Sequence, residues 1–543
     1  MAQPGAHHER EHFFGKLKTV AALTVLSRVL GMIRDIAVAS LGATRATGAF
    51  VMAFQIPNLF RRLFGEGALA AAFVPTFTET AERDGFAKAA RLFANAFALL
   101  GAFLLLLASL AAAAILVWGV FFPGPWDRQL LLRLTLLMLP FLVTICLLAL
   151  AAAALNCRGH FAFPAFAPIL LNLFIIAAAW FVAPNYRDRE FAGLHVIAAS
   201  VTIAGFAQVA AALWLLWRTG FRMQFRLRPI EPGIRPMLRL MGPMVVGLGF
   251  LQFAEFLQTV IAWVFAATEH APTLQLFGWE IAKPLSTATL MRLYAARRLY
   301  QFPLGVLAIS LGVVVFPLLS RYAARGDTEN LRDSLNRALR LATMESLAAG
   351  VGLLVLAGPI LELIFQYRRF TPADTAASAH ILRLYAVGMW AYCTTQIFLR
   401  AFYALKDTRT PLLVSCVMMA VNLVLVLVLI WVPAIGAGGF GLATAISATG
   451  NALVLAALLR KRLGRFGGRR LLASSLRSAV AAALMAGAIL VLRAWLEPAA
   501  GWLIVAVCVP AGGAVFLLAA RLLGAPELGE LAGSLRKRRQ QDQ

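Results

Sequence analysis

Long runs of apolar residues alternate with short polar segments along the whole chain. A run of about 20 apolar residues is long enough to cross a bilayer as a helix. The pattern predicts fourteen such helices, called segments 1–14 below, over residues 19–42, 49–78, 89–122, 129–154, 162–183, 192–217, 236–267, 286–319, 336–365, 376–402, 411–432, 438–459, 472–493 and 500–522. Of the 543 residues, 61% are hydrophobic and only 14% are charged. These features predict an all-α, polytopic membrane protein.

The distribution of charge predicts how the helices are oriented. The net charge is +25, and most of the 50 Lys and Arg residues fall in tails and loops that are cytoplasmic if the N-terminus is inside. Cytoplasmic loops of membrane proteins carry such an excess. We therefore predict that both termini are cytoplasmic. The basic loops 218–239 and 460–470 are expected to lie near anionic membrane lipids and to bind no nucleic acid.

Short patterns recur 240–250 residues apart. AFVP at residues 72–75 resembles VFP at 315–317, and Asn-Leu at 172–173 recurs at 422–423. An even number of helices separates the copies, which predicts a parallel repeat of two six-helix lobes. The predicted organisation is a cytoplasmic tail (1–18), an N-terminal lobe with segments 1–6 (19–218), a cytoplasmic linker (219–235), a C-terminal lobe with segments 7–12 (236–460), segments 13 and 14 (461–522) and a cytoplasmic tail (523–543).

Charged residues inside the predicted helices are the main functional signal. An arginine at the bilayer centre costs roughly 2.5–3.5 kcal/mol on insertion scales, so it is rarely left facing lipid. Segments 1, 2 and 8 together carry Arg28, Arg34, Arg61, Arg62, Arg297 and Arg298, which outnumber the acids of the helices. This excess predicts a wet cavity that holds an anion. Because guanidinium groups bind phosphate through two parallel hydrogen bonds, the leading interpretation is a membrane-associated substrate that bears phosphate.

Spacing on segment 1 leaves an alternative for one of these arginines. Arg28 and Asp35 share a helical face, whereas Arg34 points about 120° away from Arg28 on an ideal helix. A bend or an unwound turn at Gly31 would let both arginines reach one space, so Gly31 is a candidate hinge. The alternative for Arg34 is an ion pair or a position at the membrane interface.

Segments 2 and 7 contain possible ion-pair partners. Arg62 and Glu66 are four residues apart and can pair on one helical face, which gives Arg62 a structural explanation. Arg61 has no acid at such a spacing, so its counter-charge must come from elsewhere in the chain. Glu255 in segment 7 is either a cation or proton site or the partner of an arginine of segment 8.

Enzyme and metal motifs are absent from the sequence. It contains no Walker A, HExxH or GxSxG pattern, and its five Cys residues form neither a CxxC pair nor a Cys/His cluster. Residues 436–441 match GxGxxG, but they lie in a predicted outer loop without a preceding strand, so we predict a flexible turn there. The sequence predicts a transporter, not an enzyme, with no cofactor and no metal site.

The arginine-bearing motifs resemble those of the MurJ (MviN) lipid II flippases, a family of the multidrug/oligosaccharidyl-lipid/polysaccharide exporter superfamily. The similar motifs are SRVLG at residues 27–31 with Arg34 and Asp35, PNLFRR at 57–62 and AFVP at 72–75. Further similarity lies at 298–307 and at 365–371, and the resemblance runs from about residue 19 to 520.

The resemblance implies both a fold and a function. Members of this family have fourteen helices, in two six-helix lobes plus a final pair. They move the undecaprenyl-diphosphate-linked peptidoglycan precursor from the inner to the outer leaflet of the bacterial cytoplasmic (inner) membrane, by alternating access. The diphosphate would then be bound by Arg28, Arg34, Arg61 and Arg298, with a second tier of candidates in Asp35, Asn58, Arg62, Glu66 and Arg297. Segments 13 and 14 would line a groove for the polyprenyl tail.

The chain departs from the family pattern at four positions. This chain has Gly48 where relatives often have an acid, Gln55 where they have Lys, Arg297 where they have Asp, and Gln301 where they have Glu. The cavity is therefore expected to be more cationic near segment 8. Two other functions stay open. The chain could flip another polyprenyl-diphosphate-linked glycan, because arginines bind the diphosphate and not the sugar. It could instead be a cation-coupled multidrug exporter, which predicts acids inside the helices.

Overall fold

Every one of the fourteen predicted segments is helical in the computed structural model, which describes residues 4–63, 69–186, 191–221, 224–276, 278–497 and 499–529. The helices in these ranges are α1 (Pro4–Ala39), α2 (Arg45–Phe60), α3 (Leu69–Asp84), α4 (Phe86–Phe121), α5 (Trp126–Cys157), α6 (Ala162–Ala177), α7 (Ala192–Arg218), α8 (Ile234–Val264), α9 (Thr289–Ala324), α10 (Thr328–Phe365), α11 (Pro372–Val387), α12 (Met389–Ala404), α13 (Arg409–Leu429), α14 (Gly439–Leu463), α15 (Gly468–Leu496) and α16 (Gly501–Leu522). Helix α1 begins well before the predicted start at residue 19 and extends into the predicted tail.

Two of the predicted segments each contain two of these helices. Segment 2 contains α2, a π-helical turn at residues 61–63 and α3, which begins at Leu69; residues 64–68 lie outside the described ranges. Segment 10 forms α11 and α12, which meet at Gly388. A Cβ atom at Gly388 would lie 2.6 Å from the Cα of Ala445 in α14, so only glycine allows this approach. Apolarity alone predicts a helix but not such a break.

Helices that can cross the membrane are recognised by their length and apolar composition. Within the described ranges, nine helices are long and apolar enough to cross: α4, α5, α6 with the turns that follow it, α7, α10, α13, α14, α15 and α16. By contrast, α2, α11 and α12 each have 16 residues, which is short for a full crossing. The protein is therefore a multi-pass helical membrane protein, while the count of fourteen stays a prediction.

In the part of the chain that the structure describes, the fold is all-α as predicted, apart from one short β-hairpin that follows α8. Strands β1 (Thr273–Leu276) and β2 (Trp279–Ala282) pair antiparallel, with Thr273 opposite Ala282 and Leu276 opposite Trp279. The Trp279 side chain is exposed. The hairpin was not predicted, because four-residue strands with at most two apolar positions on each face give too short a pattern to detect.

The chain divides into two compact units, Met1–Trp263 (unit 1) and Val264–Gln543 (unit 2). Unit 1 contains most of α8, which the sequence had placed in the second lobe, so the predicted lobe boundaries are not yet tested. Packing follows the same order in both units. In unit 1, α5 packs against α2, α4 and α7, and α6 packs against α7. In unit 2, the broken helix α11–α12 packs against α9, α10 and α14, and α13 packs against α14.

Helices α15 and α16 pack against each other and against α10. Their shared core contains Met344, Met485 and Phe516, all buried. A buried ion pair lies at one end of this contact, where Arg340 Nη1 of α10 is 3.0 Å from Glu527 Oε1. Ser474 Oγ of α15 donates to the same oxygen at 2.7 Å. One carboxylate thus connects α10, α15 and the segment after α16.

The glycine pattern at 436–441 is a turn only in its first half. Residues Gly436–Gly438 form a 3₁₀ turn, and Gly439 begins α14. A Cβ at Gly441 would lie 2.7 Å from the backbone N of Tyr385 and 2.9 Å from the carbonyl O of Ile381, both in α11. The pattern therefore allows close packing of α14 against α11 and does not bind a dinucleotide.

We expect Gly441→Ala to lower the thermal unfolding midpoint of the purified protein, because the added methyl group must displace backbone of α11. Such overpacking costs about 1–3 kcal/mol. Gly352→Ala in α10 is the matched control, since a Cβ there meets no atom within 4 Å. Alanine is also the better helix former by about 1 kcal/mol. Equal midpoints for the two variants would show that the contact at Gly441 is not tight.

Candidate functional site: arginines in the membrane helices

Arg34 of α1 lies in a network that joins three helices of unit 1. Its Nη2 is 2.7 Å from Asp35 Oδ1, and its Nε donates to the same oxygen at 3.0 Å. Its Nη1 donates to Asn172 Oδ1 of α6 at 3.1 Å, and the guanidinium carbon is 5.8 Å from the ring centroid of Phe54 in α2. Asp35 is fully buried, whereas the Arg34 side chain retains 14% exposure. The ion pair is the structural alternative that the sequence had left open for Arg34.

Arg28 has a different environment on the same helix. Its side chain is exposed, and it forms no hydrogen bond or ion pair with the side chains that the structure describes. Asp35, which was expected on the face of Arg28, pairs with Arg34 instead. Helix α1 continues without a break through Gly31, which is buried, so this conformation has no unwound turn there. A hinge at Gly31 stays a prediction about movement.

The end of α2 carries the next two candidates. Arg61 Nε donates to Asn58 Oδ1 at 3.2 Å, so an amide one turn earlier is one of its partners. Arg62 Nη1 forms an ion pair with Glu255 Oε2 of α8 and also donates to Gln252 Oε1 at 3.0 Å. The sequence left two alternatives open for Glu255, a cation or proton site or the partner of a segment 8 arginine; in the structure its partner is Arg62 of segment 2. The predicted Arg62–Glu66 pair cannot be assessed, since Glu66 lies outside the described residues.

In unit 2, the two candidates of segment 8 lie in the first third of α9. Arg297 Nε donates to the hydroxyl oxygen of Tyr385 at 2.9 Å, and its guanidinium carbon is 5.9 Å from the ring centroid of Phe440. The ring of Tyr385 stacks on that of Tyr300, with centroids 5.1 Å apart. Arg298 is half-buried beside it. Arg297 is thus in contact with two aromatic side chains of unit 2.

Several partners of these arginines gave no signal in the sequence. Asn172 and Gln252 are single amides in apolar segments, where nothing local marks them as ligands of a charge. The buried environment of Asn172 explains its use, because an amide in a helix bundle needs hydrogen-bond partners. Its repeat-related residue Asn422 is also buried, and it donates to Ser447 Oγ at 3.1 Å. Within the described ranges, no three His, Cys, Asp or Glu side chains are placed to hold a metal ion.

Residues 37–507 match the family model described as "Lipid II flippase MurJ". The chain belongs to this family. A MurJ-family relative from Rhizobium meliloti (strain 1021), named "Probable lipid II flippase MurJ", is 32% identical over 489 residues, covering 89% of this chain and 87% of the relative. The "Lipid II flippase MurJ" of Burkholderia cenocepacia is 31% identical over 465 residues, covering 83% of this chain and 84% of that protein.

Solved structures share the MurJ fold at low sequence identity. A structure titled "Lipid II flippase MurJ, inward closed conformation" has a TM-score of 0.74 at 20% identity, covering 94% of this chain and 99% of that one. An inward-facing multidrug resistance transporter of the MATE family and MOP superfamily has a TM-score of 0.64 at 13% identity, covering 83% of this chain. The fold is therefore that of this group of membrane transporters.

Proposed function

We propose that this protein is a flippase for lipid II, the undecaprenyl-diphosphate-linked peptidoglycan precursor, and that it moves the lipid from the inner to the outer leaflet of the bacterial cytoplasmic membrane. The observation that carries the proposal is the set of arginines on the membrane helices of a MurJ-family chain, of which Arg34, Arg61 and Arg298 are half-buried. A buried guanidinium is costly unless a counter-ion or water compensates it, and a diphosphate supplies several negative oxygens.

The proposed binding residues are Arg28, Arg34, Arg61 and Arg298. In unit 1, Arg34 reaches the substrate by exchanging part of its contact with Asp35 for contact with phosphate. Arg28, which is exposed and unoccupied by the described side chains, makes the first contact with the anion. Arg61 donates from Nε to the side-chain amide oxygen of Asn58, one turn earlier in the chain. No bond in the lipid is made or broken, so the protein acts as a transporter.

The proposed route combines a cavity for the headgroup with a lipid-exposed path for the tail. Helices α15 and α16 pack on α10 through one face and leave large apolar side chains exposed on the other, among them Leu484, Leu490, Trp495 and Leu518. A polyprenyl chain requires such an apolar surface. We place fourteen crossings in the membrane with both termini in the cytoplasm, and we propose that the two repeats alternate access to the two sides. The repeated packing order in units 1 and 2 supports this arrangement.

The test is complementation in bacteria depleted of their own lipid II flippase, with lipid II measured in each leaflet. We expect expression of this chain to restore growth and the appearance of lipid II in the outer leaflet. Growth arrest despite stable expression in the membrane would contradict the proposal. A parallel strain that accumulates an O-antigen precursor tests the other polyprenyl-diphosphate lipids, since rescue only there would assign a different glycan. Increased drug efflux without rescue in either strain would favour the multidrug exporter.

A further inference from the structure

Each unit contains a buried arginine–aspartate pair at the same place in its fold. In unit 1, Arg45 Nε at the start of α2 donates to Asp127 Oδ2 at the start of α5, at 2.8 Å. In unit 2, Arg292 Nε in the first turn of α9 donates to Asp374 Oδ1 in the first turn of α11, at 2.9 Å. The partners are 82 residues apart in both pairs. Both members of the second pair are offset from the first by 247 residues (292 − 45 and 374 − 127).

The equal spacing shows that the internal repeat includes an ion pair as well as the short sequence patterns. The sequence patterns recur at 240–250 residues, and α2 and α9 are each packed against the helix that supplies the aspartate. Both pairs are largely removed from solvent, with exposures of 9% and 7% in unit 1 and 21% and 7% in unit 2. A buried charge that loses its partner is strongly destabilising, so each pair tightly constrains the two helix ends that it joins.

The surroundings show that each pair fixes one helix end against several others. Arg45 Nη1 donates to the backbone carbonyl of Trp263 at 2.8 Å, and its guanidinium carbon lies 3.4 Å from the centroid of that indole ring. It therefore also holds the C-terminal end of α8. In unit 2, the other oxygen of Asp374 accepts from Thr371 N at 3.0 Å and so caps α11. Asp374 thus forms the ion pair with α9 and also caps the N-terminus of α11.

The two helices held by these pairs, α2 and α9, lead to or carry candidate arginines. Helix α2 leads to Arg61, and α9 carries Arg297 and Arg298 in the turns just after Arg292. Arg297 itself donates to Tyr385 of α11, so α9 and α11 are joined at two points. Two points of attachment fix both the rotation and the axial position of a helix, which one contact cannot do.

We propose that the two pairs are a duplicated clamp. Arg45 with Asp127 and Arg292 with Asp374 are positioning residues that set the rotation of α2 and α9 and thereby aim their arginines. This inference depends on the proposed function only in naming the anion that the arginines bind. Neither pair was found from the sequence, because Arg45 and Asp127 lie outside the apolar segments and the members of each pair are far apart in the chain.

The decisive measurement reads the Arg297–Tyr385 contact directly, by fluorine NMR of protein labelled with 3-fluorotyrosine. The chain has eight tyrosines, and Tyr385→Phe assigns the resonance. The test variant is Arg292→Gln with Asp374→Asn, which removes both charges and leaves no unpaired buried one. We expect the Tyr385 resonance to shift toward its position in Arg297→Gln. We also expect the affinity for undecaprenyl diphosphate to fall roughly tenfold, as for residues coupled through shared contacts.

Arg321→Gln is the control that separates the clamp from ordinary stabilisation, because it removes an exposed charge from the other end of α9 and keeps the ion pair. It is expected to leave the resonance and the affinity unchanged, whereas Arg292→Lys should retain part of each. An unshifted Tyr385 resonance in the double variant would overturn the clamp. A shifted resonance in a protein whose unsubstituted form binds no undecaprenyl diphosphate would support the clamp and refute the proposed function.

The first pair is tested by Arg45→Gln with Asp127→Asn, and the neighbouring Arg128→Gln serves as its control. We expect the double variant to bind undecaprenyl diphosphate roughly tenfold more weakly, and the control to bind it like the unsubstituted protein. Unchanged binding by a folded double variant would limit the clamp to unit 2 and so overturn its duplication.

Discussion

Arg34→Ala and Arg61→Ala are each expected to abolish rescue of flippase-depleted cells. Hydrogen bonds to a charged group contribute about 1.5–3 kcal/mol each, and removing a guanidinium that makes two of them should weaken diphosphate binding by more than a hundredfold. Lysine variants keep the charge but lose the planar fork, so we expect partial rescue from Arg34→Lys and Arg61→Lys. Growth of the depleted strain and binding of undecaprenyl diphosphate are the two measurements.

The matched control is Arg477→Ala in α15, whose side chain is exposed. It removes the same charge from another membrane helix and is expected to rescue fully. Full rescue by both Arg34→Ala and Arg61→Ala at normal expression would show that these residues do not bind the substrate. Loss of protein from the membrane would instead assign them a structural role, which a thermal unfolding scan of the purified variants distinguishes from loss of binding.

Glu527→Ala is expected to cause the largest loss of stability among the ion-pair variants. Glu527 is fully buried and is paired with Arg340, so its removal leaves a buried guanidinium without this carboxylate. Breaking one side of a buried pair costs about 3–5 kcal/mol. The variant also removes the acceptor of Ser474. We expect α15 and α16 to detach from α10 first, which hydrogen exchange measured by mass spectrometry would detect as faster exchange in those helices.

Glu497→Ala provides the comparison for this loss. Glu497 pairs with Arg493 one turn earlier, with 59% and 33% of the side chains exposed. Exposed pairs contribute about 0–1 kcal/mol, so this variant should exchange like the parent protein. Similar protection of α15 and α16 in the two variants would contradict the structural role of Glu527.

The position of nearly every membrane helix could be predicted from hydrophobicity, because an apolar run of this length has no other stable environment. The break at Gly388 could not be predicted, because it depends on the approach of Ala445, which is distant in sequence. The start of α1 at Pro4 was missed because its first residues are polar and the prediction relied on apolar content.

The types of residue at the candidate site were predictable, but their partners were not. Burial of charge in an apolar helix is visible in sequence, and it singled out Arg34 and Arg61. Pairing depends on which helices are neighbours. For Glu255 the sequence offered a cation or proton site or an arginine of segment 8, whereas the structure pairs it with Arg62. The Arg34–Asp35 pair shows a further difficulty, since adjacent residues of a helix point in different directions and pair only when a long side chain folds back.

The amide of Asn172 has a mechanical consequence for transport. It accepts from Arg34 and also donates to the backbone carbonyl of Ser27 at 3.2 Å, two turns earlier on α1. One side chain of α6 is therefore hydrogen-bonded to α1 at two positions that are two helical turns apart. Sliding or rotation of α1 against α6 would break both contacts together. We therefore expect α1 and α6 to move as one rigid body. A displacement of either helix would then also displace the guanidinium of Arg34.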